Sequence, residues 1–124
     1  MLSKKWKEFV KKAKKNYNKI QCISCPAFNN EFIYFNREGF NHLLWKGTAP
    51  RSIKEQKERI SLISAAVTIL KSHKNYSTYR MNIKDNSNAH FWSFDGRYGN
   101  KEITIILRQI NDGNKYFFSV FCKK

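Results

Sequence analysis

The sequence predicts an α+β fold, with N-terminal helices packed on a four-stranded antiparallel sheet. Apolar residues recur at three- and four-residue spacing in the first part of the chain, which is the period of amphipathic helices. After Lys74 the pattern changes to β-branched and aromatic runs separated by Asn, Asp and Gly, which is typical of strands joined by turns. With 124 residues, 41% of them hydrophobic, residues 1–124 fit one domain with a buried core.

Residues 1–20 are predicted to form a basic amphipathic helix. Lysines fill most positions outside its apolar face, Lys11 and Lys15 among them, and we expect them to contact phosphate groups. A solvated surface helix or a helix lying on a membrane surface would show the same pattern. The apolar positions are Leu2, Trp6, Phe9, Val10, Ala13, Tyr17 and Ile20.

Residues 32–73 are predicted to be mainly helical, after the short aromatic run Phe32–Phe35. The next helix carries His42 and Lys46 four residues apart, so we expect them on one side of it, and Gly47 is a suitable helix stop.

A further helix is expected to begin at Ser52 and to reach about His73. Ser52 and Glu55 have the spacing of a capping box, in which each side chain bonds a backbone N–H of the first turn. Pro50 prevents this helix from continuing upstream.

Residues 76–122 are predicted to form the antiparallel sheet, from strands Tyr76–Ile83, Ala89–Phe94, Glu102–Ile110 and Lys115–Cys122. Asp112-Gly113 is a two-residue hairpin signal. It predicts the pairs Ile110 with Lys115, Arg108 with Phe117, and Ile106 with Ser119. The expected core face carries Ile103, Ile105, Leu107, Tyr116, Phe118, Val120 and Cys122; the other carries Thr104, Ile106, Arg108, Lys115, Phe117 and Ser119.

The charge balance favours a polyanionic partner. The chain has 24 Lys plus Arg against 9 Asp plus Glu, a formal net charge of +15, and such an excess is repulsive without a counter-charge. A soluble protein that is simply rich in lysine is the alternative. No segment is long and apolar enough to span a membrane, and the N-terminus lacks the apolar core of a signal peptide, so we expect a cytoplasmic protein.

Three cysteines do not predict a disulfide framework. Cys22 and Cys25 form a C-x-x-C pair that could be half of a zinc or thiol site, but no second pair follows at a suitable spacing. Small buried thiols beside Pro26 are the alternative, and we expect no metal or other cofactor.

Several segments together resemble the phage and mobile-element branch of the barnase, EndoU, colicin and RelE-like nuclease superfamily. These are the F-N-R-E-G-F-N-H-L-L-W-K-G segment at Phe35–Gly47, Arg51 with a Lys/Glu/Arg-rich helix, I-L-R-Q-I at Ile106–Ile110 and F-F-S-V-F at Phe117–Phe121. The resemblance implies metal-independent RNA cleavage on the exposed sheet face, and, for a toxin, an antitoxin or immunity partner. The matching site positions are His42, Lys46, Arg80, Arg108 and Ser119.

Such cleavage needs a base for the 2′-OH proton and cations for the developing phosphorane. Histidine is suited to the proton transfer, and His42 is favoured over His73 and His90 because it lies near Lys46 in the resemblance segment. An arginine within an apolar strand, as Arg108 is, must be paired or lie on a functional face. The residues expected to bind RNA around these are Arg51, Arg97, Lys115, Phe117, Lys11 and Lys15.

Each site residue also has a purely structural interpretation. His42 could be a surface or buried structural histidine, Arg108 could form a salt bridge, and Lys46 and Arg51 could be ordinary surface charge. A non-catalytic RNA- or DNA-binding module using the same basic face is the alternative function, and the sequence leaves the oligomeric state open.

Overall fold

The structure, a computed structural model, describes residues 3–123 and confirms the α+β class. The helices of this range are α1 (Lys4–Ile20), α2 (Arg37–Leu44), α3 (Ile53–Ser61) and α4 (Ile63–Ser72). The strands are β1 (Cys22–Cys25), β2 (Glu31–Tyr34), β3 (Trp45–Lys46), β4 (Ala49–Pro50), β5 (Thr78–Lys84), β6 (Ser87–Tyr98), β7 (Lys101–Ile110) and β8 (Tyr116–Cys122).

The main sheet has six strands in the order β1-β2-β8-β7-β6-β5, so the predicted four-stranded antiparallel sheet is wrong. The four predicted strands are present as β5 to β8, but β1 and β2 form a hairpin that adds to the edge of β8. The addition is parallel and rests on one pair, Tyr34 with Tyr116. Each added strand has only four residues, too few for a clear alternation in the sequence.

α3 begins as its sequence predicts, whereas α1 begins at Lys4, after a cap at Ser3 that the sequence analysis did not identify. Ser3 accepts a hydrogen bond from the backbone N–H of Trp6, and Ser52 accepts one from that of Glu55. Leu2, expected in the first helix, lies outside the described residues. The single helix expected from Ser52 to about His73 is divided at the buried residue Leu62 into α3 and α4.

The helix that carries His42 is shorter than predicted. α2 ends at Leu44, and the next residue, Trp45, is already extended. Lys46 therefore lies in the β3–β4 hairpin, and the expectation that it shares one side of a helix with His42 is wrong. Gly47, at φ +63°, serves the turn of this hairpin instead of ending the helix.

The predicted pairing of β7 with β8 is correct only beyond a β-bulge. Ile106 pairs with Ser119 as expected, but Leu107 pairs with Phe117 and Arg108 with Tyr116, so Phe118 is the extra residue. The bulge lies near the start of β8, which is also held by β2: the Tyr34 N–H donates to the Lys115 carbonyl. It moves Phe117 to the core face and puts Tyr116 and Phe118 beside Arg108, the reverse of the prediction.

We call the side of β5–β8 that carries Phe94, Ile105 and Val120 the core face. The opposite side, which carries Arg80, Phe91 and Arg108, is the polar face. α4 packs on the core face, where Phe94, Ile105 and Val120 are fully buried. α2 lies against β8, and a Cβ added to Gly39 would come within 2.3 Å of the Phe117 carbonyl oxygen. This close approach brings the other side of α2 to the margin of the polar face.

Candidate nucleic-acid interface

Four residues form a row across the polar face. The strand register aligns Arg80 of β5 with Phe91 of β6, Arg108 of β7 and Tyr116 of β8. Directly paired residues point to the same side of a sheet, and neighbouring strands are about 4.8 Å apart, so the two arginines lie about 10 Å apart along the row. The register thus brings together two of the cations that the sequence analysis named as site residues.

Aromatic rings separate and support these cations. The guanidinium of Arg80 lies 4.4 Å from the centre of the Phe91 ring, and that of Arg108 lies 4.4 Å from the centre of the Phe118 ring. The two rings meet edge to face at 5.8 Å. Cations beside aromatic rings are typical of surfaces that bind single-stranded nucleic acid.

His42 of α2 joins this surface through its ring. The imidazole packs on Phe118 with 4.2 Å between ring centres. The backbone carbonyl of His42 accepts a hydrogen bond from Arg51 Nε. Its Nδ1 is buried and has no hydrogen-bond partner within residues 3–123. The other ring nitrogen, Nε2, is not among the buried atoms that lack a partner. Nε2 is therefore the nitrogen that a ligand can reach.

Burial is the main cause that lowers the pKa of His42 below 6.5. The positive charges of Arg51, Arg59 and Arg108 lower this pKa further, and only Glu38 opposes them. The imidazole is consequently neutral at pH 7, which is the form that accepts a proton.

Arg59 is the cation that sequence reasoning missed. Its Nη1 donates to the Ser119 hydroxyl at 2.8 Å, and its guanidinium lies 5.6 Å from the Phe121 ring centre. Its Nε is buried without a hydrogen bond, and no carboxylate of the described residues lies within 4.0 Å of it. Burial, followed by the charge of Arg51, lowers the pKa of Arg59, and the carboxylates of Glu55 and Glu58 oppose this shift from beyond salt-bridge distance.

A signal for Arg59 does exist in the sequence. It lies three residues after Gln56 and four before Ile63, a spacing that puts the three on one side of a continuous helix. Gln56 is buried, so that side faces inward.

Arg108 forms a salt bridge, as its structural interpretation predicted, and it also lies on the polar face. Its Nη2 pairs with Glu38 of α2, and its Nε donates to the Tyr116 hydroxyl. Tyr116 in turn donates to Glu38 at 2.8 Å. Burial and the hydrogen bond to Glu38 raise the pKa of Tyr116 to about 12, so the phenol remains a neutral donor.

Ser119 and Arg51 lie at the site, where each one positions another residue or a helix. The Ser119 side chain is buried beneath Arg59 and accepts a hydrogen bond from it, so Ser119 orients Arg59 and is itself closed to direct contact with a substrate. The Arg51 side chain is only 6% exposed and joins the His42 carbonyl to Glu55, so it fixes α2 against α3.

The remaining predicted residues lie away from this cluster. Phe117 is fully buried and stacks on Phe35, so it is closed to bases. Lys115 pairs with Glu31 and lies over Trp92 on the core-face side. Three others are solvent-exposed: Lys46 in its hairpin, and Lys11 and Lys15 on α1. Arg97 pairs with Glu102 and is six residues along β6 from Phe91, about 20 Å.

The C-x-x-C pair does not form a joint site. Cys22 and Cys25 are three residues apart on β1, so their side chains leave opposite sides of the strand. Residues 3–123 contain no group of three His, Cys, Asp or Glu side chains that could hold a metal ion. None of their helices is both long and apolar enough to cross a membrane.

No family model, no curated protein and no solved structure matches this chain.

Proposed function

We propose that this protein is a metal-independent endoribonuclease with its active site at the β8 margin of the polar face. One observation carries the proposal: the neutral imidazole of His42 and the guanidinium of Arg59, which forms no salt bridge with a described residue, flank the same short stretch of β8. A base beside an arginine that has no salt-bridge partner suits RNA cleavage, because the arginine can bind phosphate oxygens and the base can take a proton.

In the proposed reaction His42 Nε2 accepts the proton of a ribose 2′-OH. The 2′ oxygen forms a bond to phosphorus, and the bond from phosphorus to the 5′ oxygen breaks. The leaving oxygen takes a proton from water, and the imidazolium later returns its proton to solvent, so charge and atoms balance. The products are a 2′,3′-cyclic phosphate and a free 5′-OH.

The arginines stabilise the phosphorane in this proposal. Arg59 meets the charge that develops on the equatorial oxygens, and Ser119 holds its guanidinium in place. Arg108, oriented by Glu38 and Tyr116, approaches from the β7 side. Arg80 lies about 10 Å away along the row, where it binds the phosphate of a neighbouring nucleotide.

The likeness in sequence to the barnase, EndoU, colicin and RelE-like superfamily supports the same reaction class. We extend the proposal to a role as a toxin or phage-related effector, held in check by an antitoxin or immunity protein. Induced expression tests this role: the wild type should arrest bacterial growth and His42→Asn should not. Equal growth of both strains, with both proteins present, would contradict it.

The activity itself is tested with purified protein in EDTA. An oligoribonucleotide should be cleaved to 2′,3′-cyclic ends, and its 2′-deoxy counterpart should remain intact. His42→Asn should reduce the rate by about 10²- to 10⁴-fold, and Arg59→Gln by about 10²- to 10³-fold. Arg97→Gln is the matched control, an exposed arginine outside the site that should leave the rate unchanged.

Loss of cleavage in EDTA, or an equal effect of the control, would refute the ribonuclease proposal. The alternative is a non-catalytic RNA-binding module, and one observation favours it. Catalytic histidines are commonly oriented by a partner on the second ring nitrogen, and His42 Nδ1 has none among the described residues. Tight, salt-sensitive binding of RNA that stays intact would support this alternative.

A further inference from the structure

β5 forms a free edge of the six-stranded sheet, and its outward backbone groups have no strand partner within residues 3–123. All seven of its residues are exposed. Unpaired N–H and C=O groups along such an edge can pair with a further strand.

The two edges of this sheet differ in their protection. At the opposite edge, β1 has four residues and ends next to Pro26, a residue that cannot donate to a strand. β5 has seven residues, contains no proline and pairs with β6 without a bulge from Thr78 to Lys84. β5 is thus the edge without a proline or a bulge, and its two charged residues, Arg80 and Lys84, both lie on the polar face.

Three apolar side chains form a stripe on the core-face side of β5. The exposed fractions are 46% for Tyr79, 45% for Met81 and 70% for Ile83. The Tyr79 ring continues the stripe inward, because it packs on Trp92 at 5.3 Å between ring centres. Ile83 is the most exposed of the large hydrophobic residues described, which indicates a surface that another apolar surface covers.

β5 is complementary to a second copy of itself. In an antiparallel pair centred on Met81, Met81 faces its own counterpart and Tyr79 faces Ile83, so the two stripes form one. On the polar face Arg80 lies opposite Asn82, and Thr78 lies opposite Lys84, so each cation faces a neutral polar residue.

The neighbouring two-fold registers are unfavourable. Centring the pair on Arg80 sets two arginines directly opposite each other. Centring it on Asn82 sets Arg80 opposite Lys84. Like charges directly opposite destabilise strand pairs, and a shift by one residue would mix the two faces. The register centred on Met81 is also the one that pairs all seven residues.

We propose that the protein is a two-fold symmetric homodimer formed by antiparallel β5–β5 pairing centred on Met81. The pairing joins the two sheets into one and makes the two polar faces one continuous surface, with both Arg80 side chains near the axis. The dimer does not depend on the ribonuclease proposal, since it rests on the edge and its side-chain pattern alone.

Light scattering coupled to gel filtration tests the dimer on RNA-free protein over a roughly hundredfold range of concentration. The wild type should approach twice the 14.8 kDa of one chain. Ile83→Lys, which puts a charge against Tyr79 of the partner copy, should raise the dissociation constant by about tenfold or more. Asn88→Lys is the control, because it adds the same charge next to Ile83 but one strand away from the edge.

Disulfide trapping tests the register with Cys22 and Cys122 replaced by serine. Met81→Cys should give a disulfide-linked dimer on oxidation, because directly opposite Cα atoms in a strand pair lie within bonding range. Lys84→Cys is the control, since the two copies of residue 84 would lie far apart. A protein that stays monomeric at every concentration would refute the dimer, and trapping through Lys84→Cys in preference to Met81→Cys would refute this register.

Discussion

The two faces of β6, β7 and β8 come from the same strands but differ in almost every physical property. The core face, with Phe94 and Ile105, is covered by α4 and excludes water. The polar face, with Arg108 and Phe91, is approached by α2 and α3 at its β8 margin. Strand alternation supplies both faces at once, so the helices that cover one face determine which face can bind a ligand.

The contrast is sharpest between two consecutive phenylalanines. Phe117 is fully buried against Phe35 and Tyr17, whereas Phe118 lies under Arg108 and beside His42. The bulge in β8 sends the first to the core face and the second to the polar face. Identical side chains one residue apart therefore serve stability and the candidate site respectively.

The largest effect should come from breaking the core side of this pair. Phe117→Ala should lower the free energy of unfolding by about 3–5 kcal/mol, because it leaves a cavity among packed rings. Phe118→Ala should cost about 1 kcal/mol, the scale of its ring and cation contacts, yet weaken RNA binding. Urea unfolding and RNA titration of both variants measure this, and equal stability losses would contradict the assignment of faces.

A smaller loss of stability is expected from Gly39→Ala, which tests how α2 reaches the margin of the polar face. The added Cβ would meet the Phe117 carbonyl oxygen at 2.3 Å, and a backbone atom cannot move aside easily. We expect a cost of about 1–3 kcal/mol in urea unfolding. Gly113→Ala is the control, because its added Cβ would come no closer than 3.1 Å to the Ile110 carbonyl oxygen. An equally large loss of stability in Gly113→Ala would contradict this account.

The pH dependence of stability should report the environment of His42. Its folded pKa lies below the unfolded value of 6.5, so the unfolded state binds the proton more tightly. The free energy of unfolding should therefore fall as the pH drops through 6.5, and stop falling below the folded pKa. Chemical denaturation from pH 8 to 5 measures this slope, and His42→Phe should reduce it; an unchanged slope would show that other groups cause it.

The smallest effect is expected from two exposed lysines of α1. Lys11→Ala with Lys15→Ala should change the cleavage rate less than twofold, a difference below about 0.5 kcal/mol. The same variant should reduce the salt dependence of RNA binding by up to about 0.7 in log–log slope for each phosphate that a lysine no longer neutralises. Binding titrations at several salt concentrations test this, and a large loss of cleavage would move the site toward α1.

Much of the fold follows from local patterns. The periodicity of α1, the capping of α3 by Ser52 and the strands β5 to β8 were predictable, since each depends on neighbouring residues. The early end of α2, the break at Leu62 and the strands β1 and β2 were not. These features depend on packing against distant segments, which overrides local propensity in short elements.

The candidate site was predictable in its residue types and less so in its geometry. His42, Arg80 and Arg108 belong to one connected surface, as the sequence led us to expect. Lys46 does not share a helix with His42, and Arg59 enters as the cation beside Ser119. A salt bridge or a hydrogen bond across 60 residues of chain, such as that of Arg59 with Ser119, leaves no periodic signal in the sequence.

The sequence alone determined the α+β class, the excess of positive charge and the alternation that makes one side of β7 apolar, because these depend on composition and local period. Only the tertiary structure decided which of Phe117 and Phe118 is buried. The pairing of Tyr34 with Tyr116 holds the start of β8, and a bulge separates that start from the rest of the strand. A one-residue shift exchanges the two faces of a strand, so contacts between distant segments determine which side chains meet a ligand.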